Sequence, residues 1–139
     1  MMTRTIMMKR TTCVTGTFTV LGRDEQAYDA VAGMPTLTQA TVSEELEGGI
    51  EGEASISYLT TYRDDEIASF VGILRFTGRV GDRSGSFVMQ ETGTLEDGVA
   101  MGHWTILPGS STGELCGISG EGGYTAGHEH VSYSLDVSY

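Results

Sequence analysis

Between Phe70 and Gly123, short apolar runs alternate with glycine turns about ten residues apart, and no helical stretch lies between them. Strands at that spacing build an antiparallel all-β sandwich or barrel. Period-two patterning with glycine or polar boundaries predicts eight strands, over residues 12–21, 37–46, 53–62, 67–77, 85–92, 99–107, 113–119 and 129–138. The last alternates most clearly, with Val131, Tyr133, Leu135 and Val137 on one face and Ser132, Ser134, Asp136 and Ser138 on the other. One face of that strand is therefore wet. By contrast, Ala68-Ser-Phe-Val-Gly-Ile-Leu-Arg-Phe is apolar on both faces, which predicts a strand covered on both sides. An apolar outer face around Val71 and Ile73 implies a subunit contact or a covering segment. Only Asp24 to Ala32 (DEQAYDAVA) reads as weakly helical, a turn or short helix crossing one end of the sheet.

The glycines separate the two all-β architectures. Gly48-Gly49, Gly81 and Gly122-Gly123 mark turns, but Gly16, Gly72, Gly102 and Gly117 fall inside strands. Interior strand glycines permit sharp bends and close backbone approach, the means by which small barrels turn their corners. A barrel is favoured over a sandwich.

A chain of 139 residues is the size of one domain and can bury a core without disulfides or a structural metal. We expect a single domain over 12–139, preceded by a flexible segment over 1–11. Eight basic residues stand against nineteen acidic ones, net −11, and Arg4, Lys9 and Arg10 sit at the very start, so the remainder is more acidic still. Such a surface repels phosphate backbones and anionic lipid, which argues against nucleic-acid and membrane-surface roles. The opening Met1-Met2-Thr-Arg-Thr-Ile-Met-Met-Lys-Arg lacks the apolar run of roughly 7–15 residues that a secretory signal needs. No segment reaches membrane-spanning length. A soluble cytoplasmic protein is the simplest expectation. Cys13 and Cys116 lack CxxC spacing and are expected as buried free thiols.

Several segments have a recognisable wording. Gly16-Thr-Phe-Thr-Val, Ala68-Ser-Phe-Val-Gly-Ile, Gly81-Asp-Arg-Ser-Gly-Ser-Phe-Val-Met-Gln-Glu-Thr-Gly and Gly102-His-Trp-Thr-Ile-Leu-Pro-Gly-Ser-Ser-Thr-Gly-Glu-Leu resemble, in that order, a bacterial family known as domain of unknown function 3224. The resemblance runs from Gly16 to Tyr139. That family is similar to the allene oxide cyclase barrels, a broad type that also includes bacterial cyclases of polyketide products. The resemblance implies an eight-stranded antiparallel closed β-barrel, allene oxide cyclase-like, with a central apolar cavity. It implies a reaction only weakly, since sites and not folds carry function. Where relatives often carry tryptophan, glutamate and histidine, this chain has Gly22, Leu74 and Glu91. If all three point inward, the cavity is enlarged at Gly22, more apolar at Leu74 and newly acidic at Glu91. A specialised ligand accounts for this, and so does drift in an unused cavity.

Side-chain parity identifies the inward face. In Phe87-Val-Met-Gln-Glu-Thr the larger apolar set is Phe87 and Met89, which brings Glu91 inward with them. By the same parity Phe70, Leu74 and Phe76 line the cavity, as do Ile56, Tyr58 and Tyr62, and Trp104 with Ile106, leaving His103 outside. The aromatic positions Phe18, Tyr58, Tyr62 and Trp104 form a wall suited to a flat or polyene ligand. Glu91 is the candidate catalytic acid or base, because a carboxyl on an apolar wall is desolvated and its pKa rises toward neutrality. The competing reading makes it a strand-end carboxylate that reaches water or pairs with Arg75. Tyr58 is the candidate hydrogen-bond donor to a carbonyl or enolate, with Tyr62 beside it; both also read as core tyrosines with satisfied hydroxyls.

Other constellations are weaker. His128-Glu-His130 has a spacing that metal sites use, but Ser134 and Leu135 stand where a cupin-type site needs a glutamate. Gly117 to Gly127 does not spell GxGxxG, so phosphate cradling is unsupported. Ser110, His103 and Asp136 lack a GxSxG elbow. Asp24-Glu25 with Tyr28 is placed near the barrel mouth, as a cap or as a solvated loop.

The expected function is a cofactor-free isomerase or cyclase, which folds a medium-sized hydrophobic molecule, such as a polyketide-type biosynthetic intermediate, into a reactive conformer inside the barrel. Glu91 would move the proton, and no metal or nucleotide is demanded. A non-catalytic carrier barrel is the alternative, and a structural subunit with a filled interior is a third reading. The apolar outer face leads to the expectation of a homo-oligomer, dimer or trimer. Light scattering coupled to size exclusion at micromolar concentration should show that oligomer, and a monomer alone would refute it.

Overall fold

The computed structural model describes residues 10–64, 66–128 and 131–139. Residues 1–9, which make up most of the expected N-terminal segment, lie outside the described residues, as do Glu129 and His130 of the histidine pair. Among the described residues there are nine strands and no helix: β1 (Thr12–Asp29), β2 (Thr36–Gly48), β3 (Ile50–Tyr62), β4 (Ile67–Val80), β5 (Arg83–Glu96), β6 (Val99–Ile106), β7 (Thr112–Gly113), β8 (Ser119–Ala126) and β9 (Val131–Ser138). Every pairing is antiparallel. Strands β1 to β6, β8 and β9 each pair with the next, and β9 returns to β1 through Tyr133–Val137 against Thr12–Gly16, which closes an eight-stranded barrel. The two-residue β7 only bridges to Gly85 and Ser86 of β5.

The expected helical turn at Asp24–Ala32 is instead the second half of β1, which runs to Asp29 in register with β2. Its ladder of backbone hydrogen bonds overrides a weak local preference. A register shift between Val20 and Gly22 reverses the parity along this strand, so Gly22 stands opposite exposed Ser43 while Arg23 and Glu25 pair with inward Val42 and Ala40. Gly22 therefore does not enlarge the interior. The strand expected at 113–119 is also displaced. Residues 114–118 form a turn segment that drives Leu115 and Ile118 into one end of the barrel, and the strand follows at Ser119–Ala126. Glycines made this stretch read as a loop, but at Gly122 an added Cβ would strike Leu135 Cα at 2.7 Å, so close strand approach requires glycine there.

The barrel is solid at the end that Leu115 and Ile118 plug. Leu46, Ile50, Ile56, Leu74, Phe76, Phe87, Met89, Ile106 and Leu135 are all buried around that plug, as period-two patterning demands of strands with one wet face. The Tyr133 hydroxyl ties the closure together, accepting from the Ile50 N–H at 2.9 Å and donating to the Glu47 carbonyl at 2.8 Å. Outside, many positions are Thr, Ser and Glu, but large apolar side chains are exposed too, among them Val20, Leu21 and Met101 and a group at Leu59, Val71 and Ile73, the last two 52% and 49% exposed. Cys13 and Cys116 are free and exposed, contrary to the expected burial; Cys13 stands on an outward position opposite Asp136. No helix among the described residues is long and apolar enough to cross a membrane.

Because Leu74 is fully buried in packed core, Leu74→Ala should cost about 2–5 kcal/mol in urea unfolding. Leu59→Ala on the outer face should stay within about 0.5 kcal/mol. Equal effects of the two would contradict a solid lower half.

Candidate functional site

The site begins with one row of residues across four strands. Tyr58 on β3 stands opposite Gly72 on β4, Gly72 opposite Glu91 on β5, and Glu91 opposite Trp104 on β6. A Cβ on Gly72 would lie 2.6 Å from Tyr58 Cδ1, so only glycine lets the phenol ring lie across β4. The Tyr58 hydroxyl thereby reaches Glu91 and donates to its carboxylate, 3.0 Å from each oxygen. Tyr124 on β8 lies over Gly102 of β6 in the same manner. Edge-on contacts of Tyr58 with Phe70, at 5.2 Å, and of Tyr124 with Phe18, at 5.3 Å, hold both rings in place.

Parity sends Glu91 inward as expected, and it is 1% exposed. Arg75, the alternative partner, stands opposite Val88 on another row and makes no ion pair with it. A second buried carboxyl accompanies it. Glu44 on β2 shares the inward face of Val42 and Leu46, stands opposite Ala54 and Val20, and is 6% exposed. These two are the buried carboxyls among the described residues, whose other buried polar side chains are Thr38 and Thr60.

Their electrostatics differ. Burial pushes the Glu91 carboxyl above the usual range, and the Tyr124 and Tyr58 hydroxyls and the Trp104 indole directed at it pull part of the way back. The Trp104 N–H makes no hydrogen bond, and its Nε1 is the buried side-chain nitrogen left without a partner among the described residues. Glu44 has no such donors. Burial first, then the charge of Glu91, raise its pKa from 4.5 to about 8. Glu44, without such donors, keeps its proton near neutral pH, whereas the donors around Glu91 temper the rise there. Burial and the neighbouring carboxyls push the Tyr58 and Tyr124 hydroxyls far up, so both remain donors.

Above this pair the barrel is open. A pocket of about 180 Å³ is lined by Phe18, Val42, Glu44, Tyr58, Phe70 and Tyr124, with Arg23, Tyr62, Leu95 and Ala100 nearer its rim. At the rim, Glu25 accepts from Thr38 at 2.6 Å, Tyr62 at 2.7 Å and Arg23 at 3.1 Å. Burial raises the Glu25 pKa, but these three hydrogen bonds and the charge of Arg23 outweigh it and hold the carboxyl below its usual range.

Of the residues expected to bind a ligand, Phe18, Tyr62 and Phe70 line this pocket. Leu74, Phe76, Phe87 and Met89 face inward but are packed below it, and Trp104 stands beside Glu91 under the floor. Glu91 itself does not line the pocket. Glu44, which does, was missed although Val42 and Leu46 flank it at the same parity within a predicted strand. Tyr124 was missed because Gly122-Gly123 marked its stretch as a turn. The Ser110 hydroxyl bonds the Val88 N–H and the Leu107 carbonyl, and His103 lies on the outside 3.7 Å from Glu121, so those residues form no triad. Among the described residues no three His, Cys, Asp or Glu side chains gather to hold a metal.

Fold and site together define a closed eight-stranded β-barrel, plugged at one end, with a small aromatic pocket over a buried carboxyl pair at the other. The profile of the family described as "Protein of unknown function (DUF3224)" matches residues 14–137, and the chain belongs to that family. A crystal structure of a DUF3224-family protein of unknown function from Shewanella oneidensis MR-1 superposes with a TM-score of 0.80 at 26% identity, over 94% of this chain and 98% of that one. No curated protein matches the chain.

A raised folded-state pKa at Glu44 means that the folded protein binds more protons than the unfolded chain between pH 4.5 and about 8. The contribution of Glu44 to stability is therefore present in full below pH 4.5 and lost as the pH rises to about 8. At about 1.4 kcal/mol per pH unit the loss is at most about 5 kcal/mol. Glu44→Gln should remove this slope, so that the variant gains stability relative to the native protein between pH 5 and 9 in urea unfolding. Parallel pH curves for the two would contradict the assignment.

Proposed function

We propose that this chain binds a small ring-sized molecule in the open end of the barrel and moves a proton on it without a cofactor, as an isomerase or cyclase. The observation that carries this reading is the Glu44 carboxyl, which lines the pocket, is almost completely buried and holds its proton to about pH 8. A general acid or base works best with a pKa near the operating pH. Glu91 then acts on Glu44 and not on the ligand, as a buried charge that Tyr58 anchors. The roles first assigned to one carboxyl are divided between two. Aromatic walls on rigid strands add confinement, which lowers the entropic barrier to reaction. The allene oxide cyclase-like relationship that the sequence resemblance implies would fit this chemistry.

The volume narrows the ligand. About 180 Å³ is close to the ~150 Å³ of a cavity that holds one benzene, which favours a single ring over a polyketide-type chain. A carrier that only binds is the second reading, favoured by the floor that separates Glu91 from the pocket.

Cyclohexanone in D2O tests the proposal without knowledge of the natural substrate. The protein should accelerate exchange of the protons next to the carbonyl, and Glu44→Gln should lower that rate by roughly 100-fold. Glu91→Gln should shift the pH profile toward acid, because it removes the charge that raises the Glu44 pKa. Binding of cyclohexanone with no exchange above the Glu44→Gln background would favour the carrier.

A further inference from the structure

The two buried carboxyls have no buried cation to meet them. Among the described residues the buried polar side chains are Thr38, Glu44, Thr60 and Glu91, without lysine, arginine or histidine. Arg23 is the cation that reaches the pocket, but it sits at the rim and pairs there with Glu25. Buried charges in proteins are as a rule paired, because an uncompensated one is costly to desolvate. Burial raises the Glu91 pKa and the donors around it pull only part of the way back, with no positive charge from the protein, and Glu44, which lines the pocket, has no hydrogen-bond partner among the described residues. The rings of Phe18, Tyr58, Phe70 and Tyr124 form part of the wall, alongside aliphatic residues such as Val42 and Ala126. Aromatic rings attract a cation through their quadrupole, most strongly where water is excluded.

We infer that the ligand of this pocket carries a positive charge, as a single-ring amine whose ammonium group meets Glu44 between the Tyr58 and Tyr124 rings. The inference deepens the proposed function and rests on the same pocket. An ammonium beside Glu44 displaces the proton that burial and the charge of Glu91 hold there, so binding at neutral pH releases a proton to solvent. The groups facing Glu44 are Glu91, Tyr58, Tyr124 and, at the rim, Arg23; the tyrosines stay protonated, and Glu44, its pKa pushed up to about 8, is the source of the proton.

Isothermal titration calorimetry with benzylamine and its neutral counterpart benzyl alcohol tests this on the whole chain. At pH 7 benzylamine should bind at least tenfold more tightly, and comparison of two buffers with different ionisation enthalpies should show about one proton released with benzylamine and none with the alcohol. In Glu44→Gln the advantage of the amine should fall to about twofold or less and the proton release should vanish. The comparison of the two probes on the native protein stands even if the variant does not fold. Equal or tighter binding of benzyl alcohol overturns the charge inference and leaves the pocket standing. Failure of both probes to bind overturns the pocket reading as well.

Discussion

The hydrogen bond from Tyr58 across Gly72 to Glu91 is the contact on which the rest of the interior depends. Without a Cβ at residue 72, the phenol lies against β4 and its hydroxyl meets both carboxylate oxygens two strands away. Together with Tyr124, that donor offsets part of the cost of ionising Glu91 inside the barrel. Burial first, and then the charge of Glu91, keep the proton on Glu44, the carboxyl that faces the pocket. One glycine thus bears on the second, smaller cause of the raised pKa of a side chain on a different strand. Gly102 beneath Tyr124 repeats the device from the other side of Glu91.

The barrel divides its labour along its axis. At the plugged end, Leu115 and Ile118 complete a core of interlocking Leu, Ile and Phe side chains, and the Tyr133 hydroxyl locks β9 to the turn between β2 and β3. Such packing is rigid. At the other end the same strands carry Phe18, Tyr58, Phe70 and Tyr124 around open space, so the pocket walls inherit that rigidity. The rim cluster of Glu25, Thr38, Tyr62 and Arg23 satisfies its own charges at the boundary with water. The acid pair below therefore works against a fixed, poorly hydrated background, in which a like charge has a large effect on a neighbouring pKa.

Much of this was legible along the chain. Alternation between wet and dry positions placed β2 to β6 and β9 within a few residues of their ends, since a strand's inward face must be apolar whatever its neighbours are. It also turned Glu91 and Trp104 inward and His103 outward correctly. Glu44 was equally within reach of that rule, between Val42 and Leu46, but Ser43-Glu44-Glu45 looks like a solvated run until parity is applied position by position.

What the tertiary structure alone decided involves residues brought together from different strands. The shift at Val20–Gly22 that turns Arg23 and Glu25 inward depends on how β1 docks on β2. The placement of β8 in a glycine-rich stretch depends on how closely β6 and β9 approach it. The division of the interior into solid core and pocket, and the coupling of Glu44 to Glu91, depend on register across the closed sheet. Local pattern determines which face of a strand is dry because that is a property of successive residues. Distance between carboxyls on β2 and β5 is a property of closure, and no stretch of sequence contains it.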